Sequence, residues 1–315
     1  MANLLGCRIK MKKSAFTKKH HELIALERVK KLAVMAMFAD DDLMEQLVLK
    51  GGNAMALIHR VTSRESIDLD FSMRHDFQGE HEAVRMRIER ALQRTFRPEG
   101  YEPFDFVMEE KPAEVSSDLA SFWGGYGVEF KLVPNAQFEA LKNDLPKLRN
   151  AALGIGQGRK FFIDISRFEY VDDKESVELD GYRIYVYSPL MIVCEKLRAI
   201  CQQMREYATV VKRAHRPGSQ RARDFLDIHT LVEGFALDMF SSKALDMTRQ
   251  MFELKRVDLA WLGNINNYRE FHRQGFPSVK ATVGRDFALQ EFDFYVDYVV
   301  KLANEVLIKL RATSV

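Results

Sequence analysis

The chain has 315 residues, 47% of them hydrophobic and 29% charged, with a formal net charge of +2. That is ample apolar material for one large core or two modest ones, and the near-neutral balance excludes a globally cationic surface. Cys7, Cys194 and Cys201 are too few and too scattered for a disulfide framework or a zinc site. No apolar run nears the ~18 residues of a membrane span, and the N-terminus lacks the hydrophobic stretch and cleavage site of a secretory signal. A cytoplasmic protein is expected.

In chain order, Met1–Lys13 reads as a lead-in and Ser14–Ala39 has helical periodicity. After the acidic break Asp40–Asp42, Leu47–Leu49 forms a strand, Gly51–Gly52 a turn, Asn53–Arg60 a helix and Ile67–Met73 a second strand. His81–Phe96 is a charged amphipathic helix. Phe104–Glu110, Tyr126–Val133, Lys160–Ser166 and Tyr182–Val186 read as strands, with a Gly-rich loop over Asn150–Arg159. Ser188-Pro189 then starts a helix, with a capping hydroxyl and Pro at the first helical position. Helices follow at Leu190–Tyr207, Arg223–Gly234, Ser242–Phe252 and Phe287–Ala312. The expected fold is α+β, a mixed-sheet domain over residues 1–187 and a helical domain over 188–315.

Chemistry concentrates in Leu47–Met73. Strand periodicity puts Ser66, Asp68, Asp70 and Ser72 on one face and Ile67, Leu69 and Phe71 on the other. Two carboxylates on one face repel, and a divalent cation offsets that repulsion. A Gly51–Gly52 turn before Asn53 offers bare N–H groups suited to phosphate, or simply a tight strand-to-helix turn. These are parts of a metal-dependent nucleotidyl-transfer site, with Asp68 and Asp70 as metal ligands; the simpler alternative is two solvated acids on an exposed strand face. Ser66 either bonds phosphate or satisfies a turn, and Arg64 either contacts phosphate or, in the preferred reading, holds the loop. Asp164, between apolar neighbours, is the choice for a third acid. Glu129 competes, but shares strand parity with Lys131 and pairs with it in the simpler reading. Two basic runs, Arg8–Lys19 and Lys212–Arg223, are either solvated charge or nucleic-acid contacts.

The KGGNAMAL…R…SIDLDF block resembles the nucleotidyltransferase superfamily, and specifically the AbiEii/AbiGii toxins of type IV toxin–antitoxin systems. EKLRA at Glu195–Ala199 and RARDFLDIHTL at Arg221–Leu231 are similar to that family's downstream Lys and Arg-x-x-Asp-Phe-x-Asp blocks. The first stretch and the last third match only loosely. From the residues alone, Lys196 at the border of an apolar stripe either reaches for water or pairs with an anion. Asp224 reads as sitting on its helix N-terminus, Asp227 as bridging to an Arg, and His229 as packed or hydrogen-bonded rather than catalytic. The resemblance implies that Lys196 contacts nucleotide phosphates, that Asp224 is essential and that Asp227 supports it. Asn53 departs from the usual Ser or Thr; its amide can donate to phosphate but supplies no hydroxyl ligand.

What the resemblance implies is a toxin that uses Mg²⁺ and transfers a nucleotidyl group from an NTP to an RNA acceptor, foremost a tRNA 3′ end. Translation would be blocked, and a separately encoded antitoxin would restrain it. Two alternatives stay open: modification of a protein or small-molecule hydroxyl, and a non-catalytic module that binds nucleotide or RNA.

Overall fold

The computed structural model describes residues 26–61, 68–154, 158–212, 218–284 and 287–313. The expected lead-in, the Arg8–Lys19 run, Cys7, Arg64, Ser66 and the middle of the Lys212–Arg223 run lie outside the described residues.

A helix over 26–38 (α1) buries Val29, Ala33, Val34 and Met37. Asp40 caps α2 (Asp41–Gln46) by accepting from the Leu43 N–H at 3.1 Å. The strands are β1 (Val48–Lys50), β2 (Leu69–Ser72), β3 (Tyr101–Lys111), β4 (Gly125–Pro134), β5 (Phe161–Ser166), β6 (Glu175–Leu179) and β7 (Tyr182–Val186). They form one mixed sheet in the order β3-β4-β5-β2-β1-β7-β6. β1 is antiparallel to β2 and parallel to β7, while β2 is parallel to β5. The sheet and the helices that follow make the fold α+β, as expected.

Boundaries moved where sequence signals were weak. The helix expected at Asn53–Arg60 is a single α turn, α3 (Gly51–Asn53), widening into a π-helical turn at Ala54–Ile58. It ends where the His59 ring bonds the Tyr187 carbonyl at 2.7 Å and Arg60 turns to a φ of 53°. β6 was not expected, because most of its residues are exposed. It pairs with β7 across Asp180-Gly181, whose φ values of 49° and 85° suit a two-residue hairpin turn. α4 (His81–Phe96) matches expectation; α5 (Asn135–Leu141) and α6 (Leu145–Ala151) were unforeseen, α6 taking the start of the expected Gly-rich loop.

From Ser188 onward the described chain is almost entirely helical. The Ser188 hydroxyl accepts from the Met191 N–H at the start of α7 (Pro189–Cys201). The helix expected to reach Tyr207 breaks: Gln203 and Met204 donate to the carbonyls three residues back, tightening a turn before α8 (Arg205–Val210). α9 (Ala222–Gly234), α10 (Ser242–Leu254), a 3₁₀ segment (Leu259–Tyr268), α11 (Arg269–Arg273), α12 (Phe276–Thr282) and α13 (Phe292–Ala312) complete it. α7 packs against α9 and α10, and α9 against α13. The Phe225 ring lies 5.5 Å from Phe292 and 5.3 Å from His272. Each such fully buried phenylalanine is worth ~1.5–3 kcal/mol. One hydrophobic cluster runs from α1 through the sheet to α13. Cys194 and Cys201 are buried within it, as expected of small apolar residues; burial pushes the Cys194 thiol up to about 12.

Candidate active site

Four strands bring four residues into one row. Lys50 on β1 is opposite Asp70 on β2, Asp70 is opposite Asp164 on β5, and Asp164 is opposite Gly127 on β4. Period-two alternation sets the row's direction. Leu69 and Phe71 go into the core, as do Phe161, Ile163 and Ile165, so Asp70 and Asp164 face the other way. β2 begins at Leu69, so Asp68 sits just ahead of the strand rather than within it, and Ser72 is fully buried instead of sharing an open face.

Gly51, the first residue of α3, closes against this row. Its φ is +69°, and a Cβ there would lie 2.6 Å from Asp70 Oδ2. Only glycine combines that backbone conformation with that closeness. Asn53 is fully buried and does not offer its amide to a phosphate, contrary to expectation. Its Nδ2 donates to the Asp68 carbonyl at 2.5 Å, which fastens the turn to the start of β2.

Burial pushes the Asp70 carboxyl up to about 6; Asp164, Glu195 and Asp68 push the same way and Lys50 opposes them. Asp68 is raised too, by burial and then by Asp164, against Arg223 and Lys111. The acids thus crowd one another. Lys111 relieves part of this by donating to Asp164 Oδ1 at 2.6 Å. Gly127 makes that reach possible, since a Cβ there would fall 2.2 Å from the Lys111 Cε. Glu129 does not pair with Lys131: it bonds Lys160, while Lys131 bonds Asp105, which Arg149 also grips. Asp164 lines the cavity of the acid row; Glu129 does not.

The helical wall supplies the other predicted residues. Lys196 on α7 is buried and pairs with an anion, as one alternative held: its Nζ lies 2.7 Å from Asp224 and 2.8 Å from Asp227 on α9. Asp227 therefore bridges to a lysine. Asp224 lies in the first turn of α9 and also faces Arg221 at 3.4 Å. His229 is packed as expected, edge-on to the rings of Phe294, Tyr295 and Tyr298.

Gly51, Gly52, Asp68, Asp70, Asp164, Lys196 and Asp224 line one cavity of about 950 Å³. Arg221 and Arg223, from the basic run, line it as well. Sequence reasoning missed a buried charge cluster in the same wall. Glu169 takes Lys255 at 3.2 Å, Arg198 at 3.3 Å and Lys50 at 3.8 Å. Lys50 and Arg198 lie within the recognised KGGNAMAL and EKLRA blocks and were findable by position; Glu169 and Lys255 stand outside any motif. Among the described residues, no group of three or more His, Cys, Asp or Glu is gathered closely enough to hold a metal ion as the side chains stand. No helix among them is long and apolar enough to cross a membrane.

The model of the family described as nucleotidyl transferase AbiEii toxin, type IV toxin–antitoxin system, matches residues 33–297. The chain belongs to this family. Membership implies nucleotidyl transfer, an NTP substrate and a cognate antitoxin. No curated protein matches the chain. Among solved structures, JHP933 from Helicobacter pylori is similar at 16% identity and a TM-score of 0.48, with 92% of this chain and 94% of that one covered. An antigenic nucleotidyltransferase-like protein from Paracoccidioides brasiliensis is similar at 14% identity and a TM-score of 0.33, covering 80% of this chain and 93% of that one.

Proposed function

We propose that this chain is a cytoplasmic toxin that transfers a nucleotidyl group from an NTP to an RNA acceptor, foremost a tRNA 3′ end, and so blocks translation. One observation carries the reading: glycine turn, acids, buried lysine and Asp224 come from distant segments yet line a single cavity. An acceptor hydroxyl oxygen would attack the α-phosphorus in line, its proton would leave, and the bond to pyrophosphate would break.

The donor set consists of carboxylate oxygens, the chemistry Mg²⁺ prefers. Asp68 and Asp70 would hold the ion, which would neutralise charge on the triphosphate. Mg²⁺ commonly takes one or two carboxylates plus substrate phosphates, so a closed three-ligand cage is not required. Asp164, engaged by Lys111, joins as third acid if that ion pair opens. Gly51 and Gly52 leave backbone clear for phosphate approach. Lys196 would meet the phosphates, oriented by Asp224 and Asp227. In this scheme residues 1–187 carry the acids and residues 188–315 the lysine wall.

Incubating the protein with each labelled NTP, Mg²⁺ and total RNA tests the reading. Label should enter RNA and disappear when Mg²⁺ is chelated. Label in protein instead would favour the protein-modifying alternative, and binding without transfer a non-catalytic module.

A further inference from the structure

A second cavity of about 900 Å³ adjoins the first, and Trp123, Gln202 and Arg221 line both. Its chemistry is different. The first is lined by carboxylates and cations; among its described lining residues the second has one acid, Glu206, and is dominated by rings and amides. Tyr268, Phe271 and Gln203 are half-buried in its wall, beside the exposed Arg205. The Tyr268 ring is held at its far end: its hydroxyl donates to Glu206 at 3.0 Å and accepts from the Arg205 backbone N–H at 3.0 Å. On the shared wall, the buried Nε of Arg221 has no hydrogen-bond partner.

Aromatic faces interleaved with amides and arginines suit unpaired bases, which stack on rings, hydrogen-bond at their edges and carry phosphates to the cations. The first cavity, at about 950 Å³, is within the ~300–1,000 Å³ that encloses one small ligand and so has room for an NTP. A neighbour of similar size that shares three lining residues with it suits the end of a second substrate.

We propose that the second cavity receives the unpaired 3′-terminal bases of the RNA acceptor, stacked on Tyr268 and Phe271, with phosphates drawn to Arg205 and Arg221. The terminal hydroxyl is thereby presented past Trp123 to the acid row. This assignment rests on the RNA-acceptor reading above.

The test is a fluorescence-anisotropy titration of a short labelled single-stranded oligoribonucleotide against wild type, Phe271→Leu and Tyr268→Phe, with NTP affinity measured on the same proteins by calorimetry. Phe271→Leu keeps apolar bulk and removes the π face. It should weaken the oligonucleotide about tenfold, within the range of one lost base stack, and leave NTP affinity and the melting temperature unchanged. Tyr268→Phe keeps the ring and should bind within about twofold of wild type, since stacking uses the ring and not the hydroxyl. Full oligonucleotide affinity in Phe271→Leu, beside a wild type that binds, would overturn the cavity assignment while the RNA reading stood. Loss of NTP affinity with RNA binding retained would overturn it in favour of a base pocket for the NTP. A wild type that binds no oligonucleotide would overturn the RNA reading and this assignment with it.

Discussion

Asp70 and Asp164 lie directly opposite each other on adjacent parallel strands, with the Lys111 ammonium on the outer acid and Lys50 opposite the inner one. A charge-rich row of this kind needs cations, and a bound divalent ion would add to what the lysines supply. Asp70→Asn and Asp68→Asn keep shape and remove charge. Each should lower transfer by about 100-fold or more, the upper end of what loss of a metal-site partner costs. Asp70→Asn should also melt no lower than wild type, because a buried charge is removed. Steady-state turnover with Mg²⁺ and a thermal melt check both; wild-type turnover in either variant would remove these residues from the metal site.

Gly51→Ala is the sharpest backbone test. The added methyl would sit 2.6 Å from Asp70 Oδ2 on a φ of +69°. Left-handed backbone at a non-glycine costs ~1–3 kcal/mol, and Asp70 must also shift. The variant should melt lower and lose most transfer, whereas Gly181→Ala, with open space around its Cβ position, should lose stability only. Equal transfer by the two variants would mean that the Gly51–Asp70 contact has no part in the chemistry.

The acid row was legible in the sequence because period two is strict: Asp70 and Asp164 each sit among apolar neighbours that commit the strand to one orientation. The motif blocks at Glu195–Ala199 and Arg221–Leu231 likewise located the helical wall, and the AbiEii likeness was legible in the same residues. Lys196 was ambiguous, since a lysine beside an apolar stripe looks the same whether it reaches water or two aspartates 28 and 31 residues away in the chain. Asn53 misled because a polar residue after a glycine turn suggests phosphate, while its actual partner, the Asp68 carbonyl, is a backbone atom that no pattern marks. Glu169 and Lys255 were invisible for the same reason: long-range pairing leaves no local spacing. β6 had a usable signal, Asp-Gly, that its exposed flanks obscured.

Lys196→Ala should now damage both binding and fold. Removing the lysine leaves Asp224 and Asp227 buried without their shared cation, a loss of about 3–5 kcal/mol for a broken buried pair. The two roles separate in a double variant. Lys196→Met with Asp227→Leu removes one charge of each sign and replaces them with apolar bulk, so much of the melting temperature should return. NTP affinity should not return, because a phosphate contact needs the charge. Calorimetric NTP titration beside the melts decides: full affinity in the stabilised double variant would make Lys196 purely structural.

Glu169 sets a pH dependence of its own. Burial alone would raise its carboxyl, but Arg198, Lys255 and Lys50 outweigh burial and hold it at about 2, against an ordinary value near 4.5. The folded state therefore keeps this carboxylate charged at pH values where the unfolded chain protonates it. Its contribution is present in full above about pH 4.5 and is lost as pH falls toward 2. A depression of that size corresponds to roughly 3 kcal/mol. Glu169→Gln should thus lower stability at pH 7, by about 3 kcal/mol or more since three buried cations lose their shared anion. It should also flatten the fall in stability between pH 4.5 and 2 relative to wild type. Urea unfolding across that range is the measurement. Parallel curves for the two proteins over the acid limb would show that the cluster's stabilisation does not depend on ionised Glu169.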